Sequence, residues 1–187
     1  QTFLGHLRGC EAVVQCLGHN MSFSGMFGHP RRLCADTVRR VCEAARTAKS
    51  AQPIKLIVVN TEGVERPDGG DSELRRGCFE RCLLGCLTCI LPPHADNVAT
   101  SRYLHQNARG NPHVSFCAVR PSDLTNVEPS SAYTVHDTLQ NGIIAPGSTS
   151  RANVARFMAD LVTDDSVWAR WENAFPHILD ETCDKKA

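Results

Sequence analysis

Ile54-Lys-Leu-Ile-Val-Val59, closed by Asn60-Thr-Glu-Gly63, and Val114-Ser-Phe-Cys-Ala-Val119, closed by Arg120-Pro121, decide the fold. Both are short apolar runs rich in β-branched residues, the pattern of strands covered on both faces. Pro53 precedes the first run, and Gly110-Asn-Pro112 turns the chain into the second. Between them, Arg66 to Ser72 reads as a polar loop and Glu73 to Leu91 as a helix that Pro92-Pro93 stops. His94 to Asn107 reads as another helix, with Val98, Tyr103 and Leu104 turned inward. Upstream, Ala12-Val-Val-Gln-Cys-Leu17 ends in Gly18 and predicts a third buried strand. Pro30 to Ser50 is helical in period, with Leu33, Val38, Val41, Cys42 and Ala45 on one face.

Beyond Arg120-Pro121 the signals thin out. Short strands are expected at Tyr133 to His136 and at Gly142 to Ala145. Ser150 is an N-cap for a helix carrying Val154, Phe157, Met158, Leu161 and Val162. Asp165 to Trp171 is a last helical piece before Phe175-Pro-His-Ile178, and Trp168 and Trp171 are expected to pack there. Strand, helix, strand, helices, strand is the order of a parallel sheet with crossover helices. The expected fold class is therefore α/β: a three-layer, Rossmann-like parallel sheet with flanking helices, the C-terminal portion of such a fold.

The chain has 187 residues, 42% hydrophobic and 21% charged, which suits one domain over residues 1–179 and a polar tail over 180–187. Lysine plus arginine equals aspartate plus glutamate, 20 against 20, so no global charge points to nucleic acid. The longest apolar stretch, Cys82 to Leu91, is about half of what a bilayer span needs, so no membrane span is expected. Disulfide scaffolds are usually short and core-poor. Of the 10 cysteines, those at Cys16, Cys42, Cys82, Cys86, Cys89 and Cys117 lie in apolar runs. These read as free, packed thiols of a reducing, cytoplasmic protein.

In parallel sheets ligands bind beyond the carboxyl ends of the strands. Gly18-His19-Asn20, Asn60-Thr61-Glu62-Gly63 and Arg120-Pro121-Ser122 occupy those places. Ala-Val-Val-Gln-Cys-Leu-Gly, Lys-Leu-Ile-Val-Val-Asn-Thr-Glu-Gly and Phe-Cys-Ala-Val-Arg-Pro-Ser-Asp-Leu, with Ser150-Arg-Ala-Asn-Val-Ala155 downstream, resemble the atypical short-chain dehydrogenase/reductase family. The resemblance runs from about Ala12 to Ile178. It implies a Rossmann fold, NAD(P) as cofactor, a small-molecule substrate, and reductase, epimerase or catalytically silent cofactor-sensing behaviour.

Two departures qualify what is carried over. The family's Gly-rich turn, which brings backbone N–H groups to a pyrophosphate at a helix N-terminus, has no counterpart here, which would weaken or abolish dinucleotide binding. Its Tyr-x-x-x-Lys pair is also missing: Asn97 falls in the lysine slot, and His94 lies beside the tyrosine slot. If chemistry survives, His94 is the expected proton donor, with Thr61 and Asn60 positioning the substrate oxygen, from their shared placement after strand ends. Gly18, His19, Asn97, Arg120 and Pro121 line the cofactor, and Ser122 and Arg151 line the substrate. No metal ligand is assigned.

Cys78-x-x-x-Cys82-x-x-x-Cys86-x-x-Cys89 includes the spacing of radical-SAM iron–sulfur sites. The four also form one helical stripe, and burial by packing is the expected reading over a cluster, zinc, a redox pair or lipidation of an exposed stripe. Two alternatives of other classes stay open. A free sheet edge at Val13-Val14 would pair with another chain, giving a non-enzymatic, homo-oligomeric interaction protein; an iron–sulfur or zinc protein is the lower alternative.

Overall fold

The computed structural model describes residues 3–20, 22–48, 52–71, 76–127 and 132–181. Seven strands are present: β1 (Ala12–Gln15), β2 (Ile54–Val59), β3 (Val114–Pro121), β4 (Asp123–Thr125), β5 (Tyr133–His136), β6 (Ser148–Ser150) and β7 (His177–Asp180). The helices are α1 (Phe3–Leu7), α2 (Phe23–Phe27), α3 (Leu33–Ala48), α4 (Cys78–Ile90), α5 (Pro92–Tyr103), α6 (Arg151–Thr163) and α7 (Asp165–Trp171). A π-helical turn, Leu104–Ala108, extends α5.

The main sheet runs β1-β2-β3-β7-β5. β1, β2 and β3 are mutually parallel, with Val14 beside Ile57 and Ile57 beside Cys117. The three apolar runs therefore lie side by side and end at one edge of the sheet. β7 continues the parallel order and β5 closes it antiparallel. β4 and β6 form a separate two-stranded parallel ribbon.

Alternation along β2 and β3 sorts the core into two halves. Leu56, Val58, Phe116 and Ala118 face α3 and the π-turn, where Val38, Val41, Leu104 and Phe175 meet them. Ile57, Cys117 and Val119 face α6 and α7, against Phe157, Leu161, Trp168 and Trp171. Phe116 and Phe175 pack edge to face, with ring centres 5.3 Å apart. A fully buried phenylalanine contributes on the order of 2–3 kcal/mol, so this layering dominates stability. Ser150 caps α6 by accepting from the Asn153 N–H at 3.1 Å.

Several expectations are corrected. Among the described residues β1 pairs only with β2, and Val14 is 46% exposed, so it is a half-covered edge rather than a buried strand. Gly142 to Ala145 is a turn, because the Ile143 N–H donates to the Glu80 carboxylate at 2.6 Å and Gly142 is pressed against it. α3 begins at Leu33 rather than Pro30: Asp96, from α5, accepts from the Cys34 N–H at 2.8 Å and the Ala35 N–H at 3.0 Å. That carboxylate supplies the helix cap from another element. α1, α2, β4, β6 and β7 carry too few residues to show in the apolar period. Asp180 belongs to β7, where it pairs with Tyr133, and not to a tail; residues 182–187 lie outside the described residues.

Asp96 is completely buried and also receives His19. Asp96→Ala would leave three polar groups facing an empty pocket. It is expected to cost about 3 kcal/mol, read as a lowered urea midpoint with an unchanged slope.

Candidate functional site

The tips of β1, β2 and β3 are held together below the surface before they offer anything outward. The Asn60 N–H donates to the Val119 carbonyl at 2.7 Å and the Glu62 N–H to the Pro121 carbonyl at 3.1 Å. Asn60 is buried, and its amide donates to the Asn97 carbonyl at 3.2 Å and to Ser101 Oγ at 2.8 Å. This fixes the tip of β2 to α5. His19, beyond β1, reaches α5 through Asp96 at 2.9 Å, while its Nδ1 lies 3.3 Å from the Gly25 carbonyl.

Arg120 has no exposed surface. Its guanidinium donates to both Asp71 oxygens, at 2.6 and 3.1 Å, and to the Val64 carbonyl at 3.2 Å. Burial pushes the Asp71 carboxyl up, but Arg120, helped by the N–H groups of Arg66 and Leu139, more than reverses this and holds it below its ordinary range. The expectation that Arg120 lines the cofactor is therefore corrected: both Nη groups are engaged inside the protein. Pro121 is buried too.

Ser122 is likewise internal. Its hydroxyl donates to Glu62 in a very short bond, and His177 Nε2 lies 3.0 Å from the same oxygen. The Gln140 N–H donates to His177 Nδ1 at 3.1 Å, which places the ring proton on Nε2, facing Ser122. Glu62, Ser122 and His177 form a closed polar chain with no exposed member. Ser122 is thus a brace and not a substrate contact, and Asn60 braces in the same way. Arg151 lies exposed at the start of α6, bonded to the Leu124 carbonyl and Asn126, away from the strand tips of β1 and β2.

Three of the expected residues do face outward. A Cβ on Gly18 would meet nothing within 4 Å. Thr61 is half-buried, its hydroxyl accepting from the Gly63 N–H at 3.3 Å. His94 stands over Gly63: a Cβ there would lie 3.6 Å from the ring. The imidazole thus lies within ordinary contact distance of the Gly63 backbone. His94 opens onto a groove of about 610 Å³ between α4 and α5, with Arg66, Arg81, Arg102 and His105 in its walls. Burial, and then the nearby Arg76 charge, push the His94 pKa below its ordinary value, so the ring is neutral at pH 7.

A sequence profile described as NAD(P)H-binding matches residues 2–165. The chain belongs to that NAD(P)H-binding family. Solved structures share its fold. The oxidoreductase ylbE from Lactococcus lactis is 16% identical with a TM-score of 0.62; the match covers 96% of this chain and 66% of that one. A wide-type short-chain dehydrogenase/reductase from Veillonella parvula, solved with NADP, is 11% identical with a TM-score of 0.60, covering 96% and 67%. The anaerobilin reductase ChuY from Escherichia coli is 15% identical with a TM-score of 0.54, covering 91% and 64%. At such identities the likeness is one of fold, and the chain spans about two thirds of the length of these proteins. No curated protein matches the sequence.

For a dinucleotide, the described residues of this NAD(P)H-binding chain fit one end. Gly18 is open to a Cβ, and Thr61 and Asn97 are half-buried, so these positions are not closed to a ligand. Among the described residues no strand lies outside β1, and Gly25 is packed against its own loop, where a Cβ would come 2.3 Å from the Asn20 carbonyl oxygen. None of them supplies a glycine-rich cradle for the pyrophosphate. No group of three or more His, Cys, Asp or Glu side chains among the described residues is placed to hold a metal ion.

Sequence reasoning missed Asp71, Asp96 and Glu62, which hold the site's frame. Only Glu62 carried a signal, its place in the strand-tip tetrapeptide. Arg120→Met is expected to cost about 3–5 kcal/mol by leaving Asp71 buried without its cation, and pairing it with Asp71→Leu should recover much of that. The Asp71 contribution is complete above about pH 4, the unfolded carboxylate value, and is lost as pH falls through the depressed folded value. Urea midpoints at neutral and acid pH, for wild type and the double variant, check this. In a histidine NMR titration, His94 should lose its proton at lower pH than free histidine.

Proposed function

We propose that this chain provides the nicotinamide and substrate end of an NAD(P)-dependent reductase or epimerase site, with His94 as its acid–base residue. The observation that carries this is His94 itself: a half-buried imidazole beside Gly63, opening from the strand tips into the groove between α4 and α5. The bound nicotinamide supplies or accepts a hydride. Gly18 and Asn97 would hold its ribose side, and Thr61 would hydrogen-bond the substrate oxygen. The lowered His94 pKa makes the resting ring a proton acceptor. This favours taking a proton from a hydroxyl or an acidic C–H over giving one to a carbonyl, and turnover should rise through that pKa and stay level above it. The activities of two structural neighbours, an oxidoreductase and an anaerobilin reductase, agree with the class and leave the substrate a small organic molecule.

Pairing of the free β1 edge with another copy is a second reading. It is favoured by the exposure of Val14 and Leu17, each at 46%.

One experiment separates the two. NADH or NADPH at saturating concentration is expected to raise the melting temperature of a monomer by a few degrees. Gly18→Leu, whose Cβ meets no protein atom within 4 Å, should abolish that rise without lowering the unliganded melting temperature. An oligomer whose melting is unmoved by both nucleotides would overturn the cofactor reading in favour of the edge.

A further inference from the structure

Helix α4 is folded inside out. At about 100° per residue, Cys78, Cys82, Cys86 and Cys89 share one arc of about 140° with Phe79, Leu83 and Ile90. Phe79 is 73% exposed, Ile90 69% and Leu83 37%, and the four thiols are free and exposed. The expected burial of the cysteine stripe is thus reversed. The one buried residue of the helix is Glu80. Its carboxylate faces Arg76 at 3.4 Å and accepts from the Ile143 N–H at 2.6 Å. Glu80 fastens the helix to the protein together with the half-buried Leu84 and Leu87, while the Phe79–Leu83–Ile90 arc faces solvent, unlike the apolar stripe of a core helix. A contiguous apolar face of this kind marks an interaction surface.

Charge selects what covers it. Arg81 lies on α4 about 60° outside the Cys78 edge of the arc. Arg31 and Arg32 line the hollow beside Thr88 and Cys89, and Arg102 lines the groove with Arg81 and Thr88. Among the described residues none of these four arginines forms an ion pair with a carboxylate. A convex apolar ridge with cations along one long side needs a partner that closes round it and offers phosphates above an apolar interior. A bilayer has that layering.

We propose that α4 is an interfacial anchor for an anionic membrane surface, its Phe79–Ile90 arc seated at the acyl boundary and the arginines on headgroup phosphates. The anchor does not rest on the nicotinamide reading, although Arg81 and Arg102 also wall the groove onto which His94 opens, and it spans nothing: no helix among the described residues is long and apolar enough to cross a membrane.

Co-sedimentation with vesicles of phosphatidylcholine plus phosphatidylserine, against phosphatidylcholine alone, tests it. Binding to the anionic vesicles should be at least about tenfold stronger and should weaken with added salt. Phe79→Ser with Ile90→Ser should reduce it about tenfold while the melting curve stays unchanged, since both side chains are exposed. On the wild-type protein, maleimide labelling of the α4 thiols should slow on anionic vesicles, whereas Cys16, exposed beside β1, should label at its solution rate. Equal binding to both lipids, no binding, or unchanged labelling would overturn the proposal. So would a doubled molecular size that the two serine substitutions abolish without any vesicle binding, which would assign the arc to a second copy.

Discussion

Arg120 and Asp71 are the pair on which the ligand end of the protein depends. A guanidinium without exposed surface has lost hydration worth several kcal/mol, and attraction to a single carboxylate offsets that only when the remaining donors and acceptors are also satisfied. Asp71 meets the acceptor half of that condition, while Arg120 Nε is buried without a hydrogen-bond partner among the described residues. Asp71 takes both Arg120 bonds and also accepts from the Arg66 N–H at 2.6 Å and the Leu139 N–H at 3.0 Å. One carboxylate thereby joins the end of β3, the loop that follows β2 and the segment after β5. Three separate segments of the chain meet at that junction.

Two further buried acids extend the same logic. Asp96 ties β1, α3 and α5 at one point, and Glu62 ties β2 to β7 through Ser122 and His177. The polar residues at the strand tips are mostly occupied with one another, which makes the floor stiff and leaves few groups free for chemistry. Thr61 and His94 are what remains. A rigid floor carrying a small number of unoccupied side chains is how a site holds reacting groups in position.

The sequence told its strands and long helices plainly. Ile54 to Val59 and Val114 to Pro121 pair in parallel, and α6 and α7 start and stop where Ser150 and the apolar period put them. Failures came where the deciding partner is remote. Arg120 and Asp71 are separated by 49 positions and Asp96 from Cys34 by 62, and no local pattern announces such a match. An arginine after a strand reads the same whether it meets a ligand or a buried carboxylate. Periodicity assigned the four α4 cysteines to one face, but it says nothing about which way a face turns; Glu80, with Arg76 and the Ile143 amide waiting for it, decided that. β1 looked covered because an apolar run has the same composition at the border of a sheet as in its middle.

β3 is buried at all eight of its positions, with phenylalanine on one side and the tryptophan-bearing helices on the other. Inserting or deleting a single residue within it would swap the two sides wholesale and drive Phe116 toward the space shaped for Cys117. Change in this protein is therefore channelled. The central ribbon is fixed in length and nearly fixed in letters, while the outer turns and the exposed arc of α4 remain free to drift and to acquire new roles.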